Sequence, residues 1–257
     1  MNKKIRRERS KDTRRLYKDL SWTWPIISPP EDYVKEGKRY KSLIKKHSQI
    51  PVSTLLNLGC GGGHVDWILK NHFSITGIDI SMNMLKLAKK LNPDVIYNKD
   101  DMRTVSLKKL FDAVLIHDSV NYMLTKKDLS SVFKTAYNHL KPGGMLLTFA
   151  EEYNKIKQHR LSWSIHKKDD TEITFIEHYY DPDPTDTTFE CTFVYLIRKK
   201  KRLTIKTDRH LCGLFKPVTW LSLLRRCGFE VKKQVYEYRY GGEKRSMLEF
   251  ICHKPIM

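Results

Sequence analysis

Leu55-Leu56-Asn57-Leu58-Gly59-Cys60-Gly61-Gly62-Gly63-His64-Val65-Asp66-Trp67-Ile68-Leu69 decides how this chain is read. A short leucine-rich run stopped by glycine suits a strand buried on both faces. The glycines let backbone take positive φ and pass close to a ligand, and a helix opens directly after them with free N–H donors. Several nucleotides could occupy such a loop. The dinucleotide fingerprint asks for a third glycine where His64 stands, and the Gly-Lys-Ser/Thr of a phosphate-cradling loop is absent.

Outward from this stretch, strands and helices alternate. The pattern predicts strands over Ser53 to Leu58, Ser74 to Asp79, Val95 to Asn98, Phe111 to His117 and Met145 to Phe149. It predicts helices over His64 to Asn71, Met82 to Lys90 and Lys127 to Leu140. Short links between them imply a parallel, doubly wound α/β sheet. An entry helix is expected within Glu31 to His47, after the Pro-rich Trp22 to Pro30; Ser28-Pro29-Pro30-Glu31 reads as a turn. After Ala150 the pattern changes. Ile173 to Tyr180, Thr187 to Ile197 and Leu203 to His210 are rich in β-branched and aromatic residues and should pair antiparallel. A helix at Val218 to Cys227 and strands at Phe229 to Tyr238 and Met247 to Cys252, joined by a turn at Gly241-Gly242, complete the chain.

Two acids narrow the ligand. Asp79 ends the second strand, where a carboxylate can accept both hydroxyls of a ribose, and Asp100-Asp101-Met102 follows the third, where an adenine could be held. Strand ends of this kind lie side by side at the carboxyl edge of the sheet. Asp79 as a helix cap and Asp101 as a solvated loop acid are the plain alternatives.

From Leu55 to Phe149 the chain resembles the class I S-adenosylmethionine-dependent methyltransferases. The matching segments are Leu-Asn-Leu-Gly-Cys-Gly-Gly-Gly, Thr-Gly-Ile-Asp-Ile-Ser, Asp-Asp-Met-Arg, Phe-Asp-Ala-Val-Leu and Leu140-Lys-Pro-Gly-Gly-Met, in that order. The resemblance implies a Rossmann-like seven-stranded sheet with an antiparallel β lobe inserted after the fifth strand. It implies S-adenosylmethionine as cofactor, with Gly59, Gly61 and Gly63 at the methionine part, Asp79 at the ribose and Asp101 with Met102 at the adenine; Asn57, Cys60, Ile80, Met84 and His117 are also expected at the cofactor. Asn57 departs from the family, which places an acid there; an amide can accept a hydrogen bond but carries no charge to pair with an ammonium. The domains expected are residues 1–50 (basic segment and entry helix), 51–150 with 216–257 (cofactor-binding core) and 151–215 (acceptor-covering lobe).

Beyond the core the chain is similar, more loosely, to bacterial small-molecule N-methyltransferases that dimethylate nucleotide-linked amino sugars. The features are Glu31-Asp32-Tyr33, Asp118-Ser119-Val120-Asn121-Tyr122 and Arg209-His210-Leu211-Cys212-Gly213-Leu214-Phe215 leading to Trp220. The resemblance implies that the lobe covers the acceptor, with Tyr17 folding over the cofactor from the other side. An Asn/Asp-Pro-Pro-aromatic tetrad, used by methyltransferases acting on base amines, is missing after the fourth strand. A neutral amine needs only its lone pair, whereas an ammonium or hydroxyl also needs a base. The candidates are His117, Tyr122, His210 and Tyr17, with His178, Glu151 and Glu152 near the mouth; His178 and Tyr180 could equally line a solvated strand face. Trp163 and Trp220 read as packing residues.

The 257 residues carry a net charge of +19, with runs between Lys3 and Lys18 and from Arg198 to Arg202. Such a surface attracts anions, so the acceptor could be an acidic small molecule, and RNA methylation stands as an alternative. A non-catalytic cofactor-binding module is the third reading. The 5 cysteines lack a CxxC pair, which fits neither a disulfide framework nor a zinc site. With no apolar span or leader pattern, a cytoplasmic protein away from membranes is expected.

Overall fold

The computed structural model describes residues 13–151, 160–240 and 243–256. Two sheets organise them. The larger has seven strands in the order β10-β11-β5-β4-β1-β2-β3. Its strands are β1 (Thr54–Leu58), β2 (Ser74–Asp79), β3 (Ile96–Lys99), β4 (Phe111–Ile116), β5 (Leu140–Glu151), β10 (Glu230–Tyr240) and β11 (Glu243–His253). Strands β1 to β5 run parallel, while β11 pairs antiparallel with both β5 and β10. Strand order reverses between β1 and β4, and the crevice at such a switch point is where α/β sheets bind ligands.

Helices cover both faces. On one side lie α1 (Val34–His47) and α2 (His64–Leu69), and on the other α4 (Lys126–His139) and α5 (Pro217–Arg226); α3 (Met82–Leu91) follows β2. Helix α1 turns Tyr40, Leu43 and Ile44 inward, the spacing of one helical face, and these pack with Leu55, Leu69 and Phe149. Gly37 lets α1 lie close on α2, since a Cβ there would be 2.8 Å from that of Ile68. The opposite face is sealed by Leu129, Val132 and Phe133 of α4 with Trp220 and Leu224 of α5. Caps set two helix starts: Ser81 accepts from Met84 N, and Thr125 accepts from Asp128 N.

The smaller sheet is an antiparallel meander, β6 (Arg160–Lys168), β7 (Thr171–Tyr180), β8 (Thr188–Lys199) and β9 (Arg202–Gly213). One face carries Ile173, Phe175, Phe193 and Tyr195 into a third core, shared with Leu16, Leu20 and Ile27 of the N-terminal segment and with Met84. The doubly wound α/β core with an antiparallel lobe is the expected fold class.

Several details differ from the sequence reading. Strand β6 was not expected, although Leu161, Trp163 and Ile165 alternate with polar residues; they point to the open face, at 60%, 67% and 59% exposure. Trp163 is therefore not a packing residue, whereas Trp220, 3% exposed, is. Strand β5 begins at Leu140, not Met145, because Leu140 already pairs with Phe111 of β4; an irregularity in that pairing, with Gly143 at φ 77°, precedes Met145 opposite Ala113. The Gly241-Gly242 turn and the first residues of the basic N-terminal segment lie outside the described residues.

Candidate active site

The glycine loop leaves β1 and is pinned at once, as Gly59 N and Cys60 N both donate to the Ile78 carbonyl, at 2.7 and 2.9 Å. Gly59 has φ 75° and faces Ser119, whose Oγ would lie 2.1 Å from an added Cβ. Gly61 has φ 54° and opens on free space, with nothing within 4 Å of an added Cβ. Gly63 closes the turn beside Tyr97 and Asn92.

Asp79 stands against this loop. Its Oδ2 accepts from Gly61 N and its Oδ1 from Ser81 N, each at 2.8 Å, and burial pushes its pKa up. The side-chain cap of α3 is Ser81, so capping is not the work of Asp79. Ile80 is 61% exposed beside it, whereas Met84 is buried between the N-terminal segment and the lobe. Met102 is buried, with its sulfur 3.6 Å from the Cβ position on Gly59. Asp101 is turned away to Arg103, which binds both its oxygens and also reaches Asp128. An adenine amino group would have to compete with that guanidinium for the carboxylate.

Asn57 is buried at the end of β1, and its Nδ2 donates to Asp66 Oδ1 at 2.7 Å. Cys60, beneath the loop, has a thiol pushed well up by burial and stays protonated.

Four side chains from three parts of the chain form one hydrogen-bonded line. Tyr17 OH lies 2.8 Å from Tyr122 OH, Tyr122 OH 2.6 Å from His210 Nδ1, and His210 Nε2 2.8 Å from Asp208 Oδ2. Asp208 also accepts from Leu16 N and Thr13 Oγ1, both at 2.6 Å. Against the cost of burial, the bonds from His210, Thr13 and the backbone hold its pKa at about 2, so the carboxylate is ionised. The ionised acceptor holds a proton on Nε2, and in the tautomer whose single ring proton sits there Nδ1 is the acceptor. In that tautomer Tyr122 donates to His210, and Tyr17 then donates to Tyr122. This direction leaves the lone pairs of Tyr17 for a further donor. Burial pushes the Tyr17 and Tyr122 hydroxyls up, so both stay neutral.

The line borders the glycine loop. Ser81 Oγ donates to the Tyr17 carbonyl at 2.7 Å, placing Tyr17 beside Asp79, and Ser119, three residues before Tyr122, donates to the Leu58 carbonyl. Sequence reasoning named Tyr17, Tyr122 and His210 but missed Asp208. The signal was present, since Asp208 and His210 sit two apart on a strand and share a face.

His117 sits elsewhere and in another state. Its Nε2 is 3.2 Å from Glu36 Oε1 and 3.3 Å from Asp118 Oδ1, and Tyr40 OH donates to the same Glu36 oxygen at 2.6 Å. Burial disfavours the charged ring, yet the Asp118 and Glu36 carboxylates raise its pKa to about 9. An imidazolium at neutral pH has no lone pair to take a proton, which corrects the expectation of His117 as a base. Glu36 was not singled out from the sequence. His178 and Tyr180 stack at 6.1 Å on β7, with Tyr180 37% exposed. Glu151 lies 3.8 Å from Arg160 where the lobe begins, and Glu152 is outside the described residues. No group of three or more His, Cys, Asp or Glu that could hold a metal occurs among the described residues, and no helix among them is long and apolar enough to cross a membrane.

Comparison with known proteins bears on this geometry. Residues 55–144 match the family described as the methyltransferase domain. A dTDP-3-amino-3,4,6-trideoxy-alpha-D-glucopyranose N,N-dimethyltransferase of Streptomyces venezuelae is 26% identical over 222 residues, spanning 82% of this chain and 87% of that protein. A sugar N-methyltransferase from a Streptoalloteichus species superposes with a TM-score of 0.76 at 17% identity, covering 92% of both chains. An S-adenosylmethionine-bound amino pentose methyltransferase from Micromonospora echinaspora superposes with a TM-score of 0.70 at 19% identity, covering 86% of this chain and 91% of that one.

Proposed function

We propose that this chain, whose residues 55–144 match a methyltransferase domain, is a class I S-adenosylmethionine-dependent methyltransferase that methylates the amino group of a small anionic acceptor, specifically a nucleotide-linked amino sugar. The observation that carries this reading is the directed line from Tyr17 to Asp208, which offers a proton acceptor beside the glycine loop.

The residues at the loop suit the methyl donor. Gly61 opens on free space beside the half-buried Asp79, and Ile80 and Met102 supply apolar surface around it. Bound there, S-adenosylmethionine supplies a methyl group already activated as a sulfonium, so alignment and exclusion of water remain for the protein.

An alkyl amine arrives mainly as an ammonium and must lose a proton before its lone pair can react. The exposed Asp118 carboxylate, 72% accessible beside the His117 imidazolium, attracts the cation. Tyr17 accepts an N–H proton as its own passes to Tyr122 and that of Tyr122 passes to His210 Nδ1. The result is an imidazolium against the Asp208 carboxylate and a neutral amine in the cleft. A second methylation repeats the same proton transfer.

The anionic part of the acceptor is suited by Arg160, at the start of the lobe. Its guanidinium lies 4.1 Å from the Tyr179 ring, and its buried Nε has no hydrogen-bond partner among the described residues. The amino-sugar class rests on the Streptomyces venezuelae relative, whose name states a dTDP-linked amino sugar.

The experiment is incubation of the protein and S-adenosylmethionine with a panel of nucleotide-linked amino sugars, their hydroxy analogues, free amines and structured RNA. Release of S-adenosylhomocysteine and the mass of the product are followed. Methylated amino-sugar nucleotide is expected. Methylation of RNA with a steep loss at high salt would replace the proposal by the RNA reading that the net charge of +19 favours. No release with any acceptor would leave a cofactor-binding module.

A further inference from the structure

Beneath the glycine loop lies a second polar network that the proton relay does not use. Asp66, in the first turn of α2, is fully buried at 0% exposure. Its Oδ1 accepts from Asn57 Nδ2 at 2.7 Å and its Oδ2 from Tyr97 OH at 3.0 Å. Asn92 Nδ2 reaches Tyr97 OH at 3.0 Å and the Gly63 carbonyl at 2.9 Å. The network thus runs from the end of β1, through α2 and β3, into the last glycine of the loop.

Two features of it are costly. A buried carboxylate is normally matched by a cation, yet both recorded bonds to Asp66 come from neutral donors. The Asn57 Oδ1 atom, turned away because Nδ2 serves Asp66, is buried with no hydrogen-bond partner among the described residues. An uncompensated charge and an unused acceptor together mark a place where a cationic donor group is awaited.

We propose that Asp66 is a positioning residue for the methyl donor: through Asn57 and Gly63 it sets the glycine loop, and its negative charge is compensated by the cationic ligand. This rests on the reading that the loop holds S-adenosylmethionine, which carries a sulfonium and an ammonium against one carboxylate. Asp66 supplies from the helix the charge that Asn57 does not supply from the strand.

Ionisation of Asp66 is then linked to ligand binding. Burial raises its pKa to about 6, against the bonds from Asn57 and Tyr97. The groups around it stay in one state between pH 5 and 7, since burial pushes the Tyr97 hydroxyl and the Cys60 thiol up and lowers His64 to about 4. Asp79, across the loop, is also raised by burial and is unchanged in the variants below.

Calorimetric titration of the full chain with S-adenosylmethionine from pH 5 to 8 tests the proposal on the wild type, Asp66→Asn and the swap Asn57→Asp/Asp66→Asn. Wild-type affinity should fall below pH 6, by up to about tenfold per pH unit, and binding at pH 6 should release protons, counted from the heats in two buffers of different ionisation enthalpy. Asp66→Asn should bind roughly tenfold more weakly at pH 7 and lose that part of the pH dependence, whereas the swap should regain affinity. Asp66→Asn binding like wild type at every pH would overturn the proposal. So would the absence of proton release by the wild type, which decides the matter even if the variants do not fold. If the wild type bound no S-adenosylmethionine at any pH, the cofactor reading would fall instead.

Discussion

The Tyr122 hydroxyl lies 2.6 Å from His210 Nδ1, joining the loop after β4 to the last strand of the antiparallel lobe. The direction of this bond is set at its far end by Asp208, which keeps the ring proton on Nε2. Tyr122→Phe removes the bond and the acceptor for Tyr17. Turnover should fall about 100-fold, the scale of lost acid–base assistance, while the dissociation constant of S-adenosylmethionine changes little. Single-turnover rates with calorimetry on the same variant check both parts.

Asp208→Asn frees the His210 ring to take the other tautomer, as its partner no longer demands a proton. The rate should drop nearly as far as in Tyr122→Phe, and the double variant should be no worse than the poorer single one, because the residues act as a unit. Additive losses would show that they act separately.

Gly59 and Gly61 separate packing from binding. Gly59→Ala places a methyl group against Ser119 and should destabilise the fold. Gly61→Ala meets no protein atom and should cost about 1 to 2 kcal/mol through its positive φ alone. Its affinity for S-adenosylmethionine should fall much further, since the methyl group enters the space left for the ligand. Urea denaturation beside ligand titration distinguishes the two effects.

Arg39 binds Glu249 through two bonds of 2.8 and 2.6 Å, with Gln234 adding a third to the same carboxylate. Glu249 is 0% exposed, so Arg39→Met leaves a buried charge without its cation. Unfolding free energy should fall by about 3 kcal/mol. Arg39→Met with Glu249→Gln should recover part of that loss.

The Glu36–His117–Asp118 cluster predicts a pH dependence of stability. The folded His117 pKa, about 9, lies above its ordinary value of 6.5, so its stabilisation is complete below about pH 6.5 and is lost as pH rises through 9. Asp118 is exposed and screened, which keeps the effect to roughly 2 kcal/mol or less. Melting temperature should decline across that window in the wild type, and the decline should be shallower in Glu36→Gln.

Periodicity and turn chemistry were enough to read the doubly wound core, because β1, β2 and β4 are short apolar runs whose burial on both faces leaves its mark residue by residue. Strand β6 was missed although Leu161, Trp163 and Ile165 alternate as a strand should. Their apolar side faces outward, so the pattern carried no pointer to a core. His117 was misjudged because its charge state depends on Glu36, which belongs to another helix.

By itself the amino-acid sequence determined the strand-turn-helix at Leu55 to Leu69, the acid at Asp79 and the antiparallel character of the lobe. These depend on local spacing and on backbone freedom within a few residues. Only the tertiary structure decided the line from Tyr17 through Tyr122 and His210 to Asp208 and the burial of Asp66 beneath the loop. Thr13 meets Asp208 across 195 positions and Tyr122 meets His210 across 88. Contacts at such separations follow from how the lobe and the N-terminal segment pack, and that packing sets which protons each group holds.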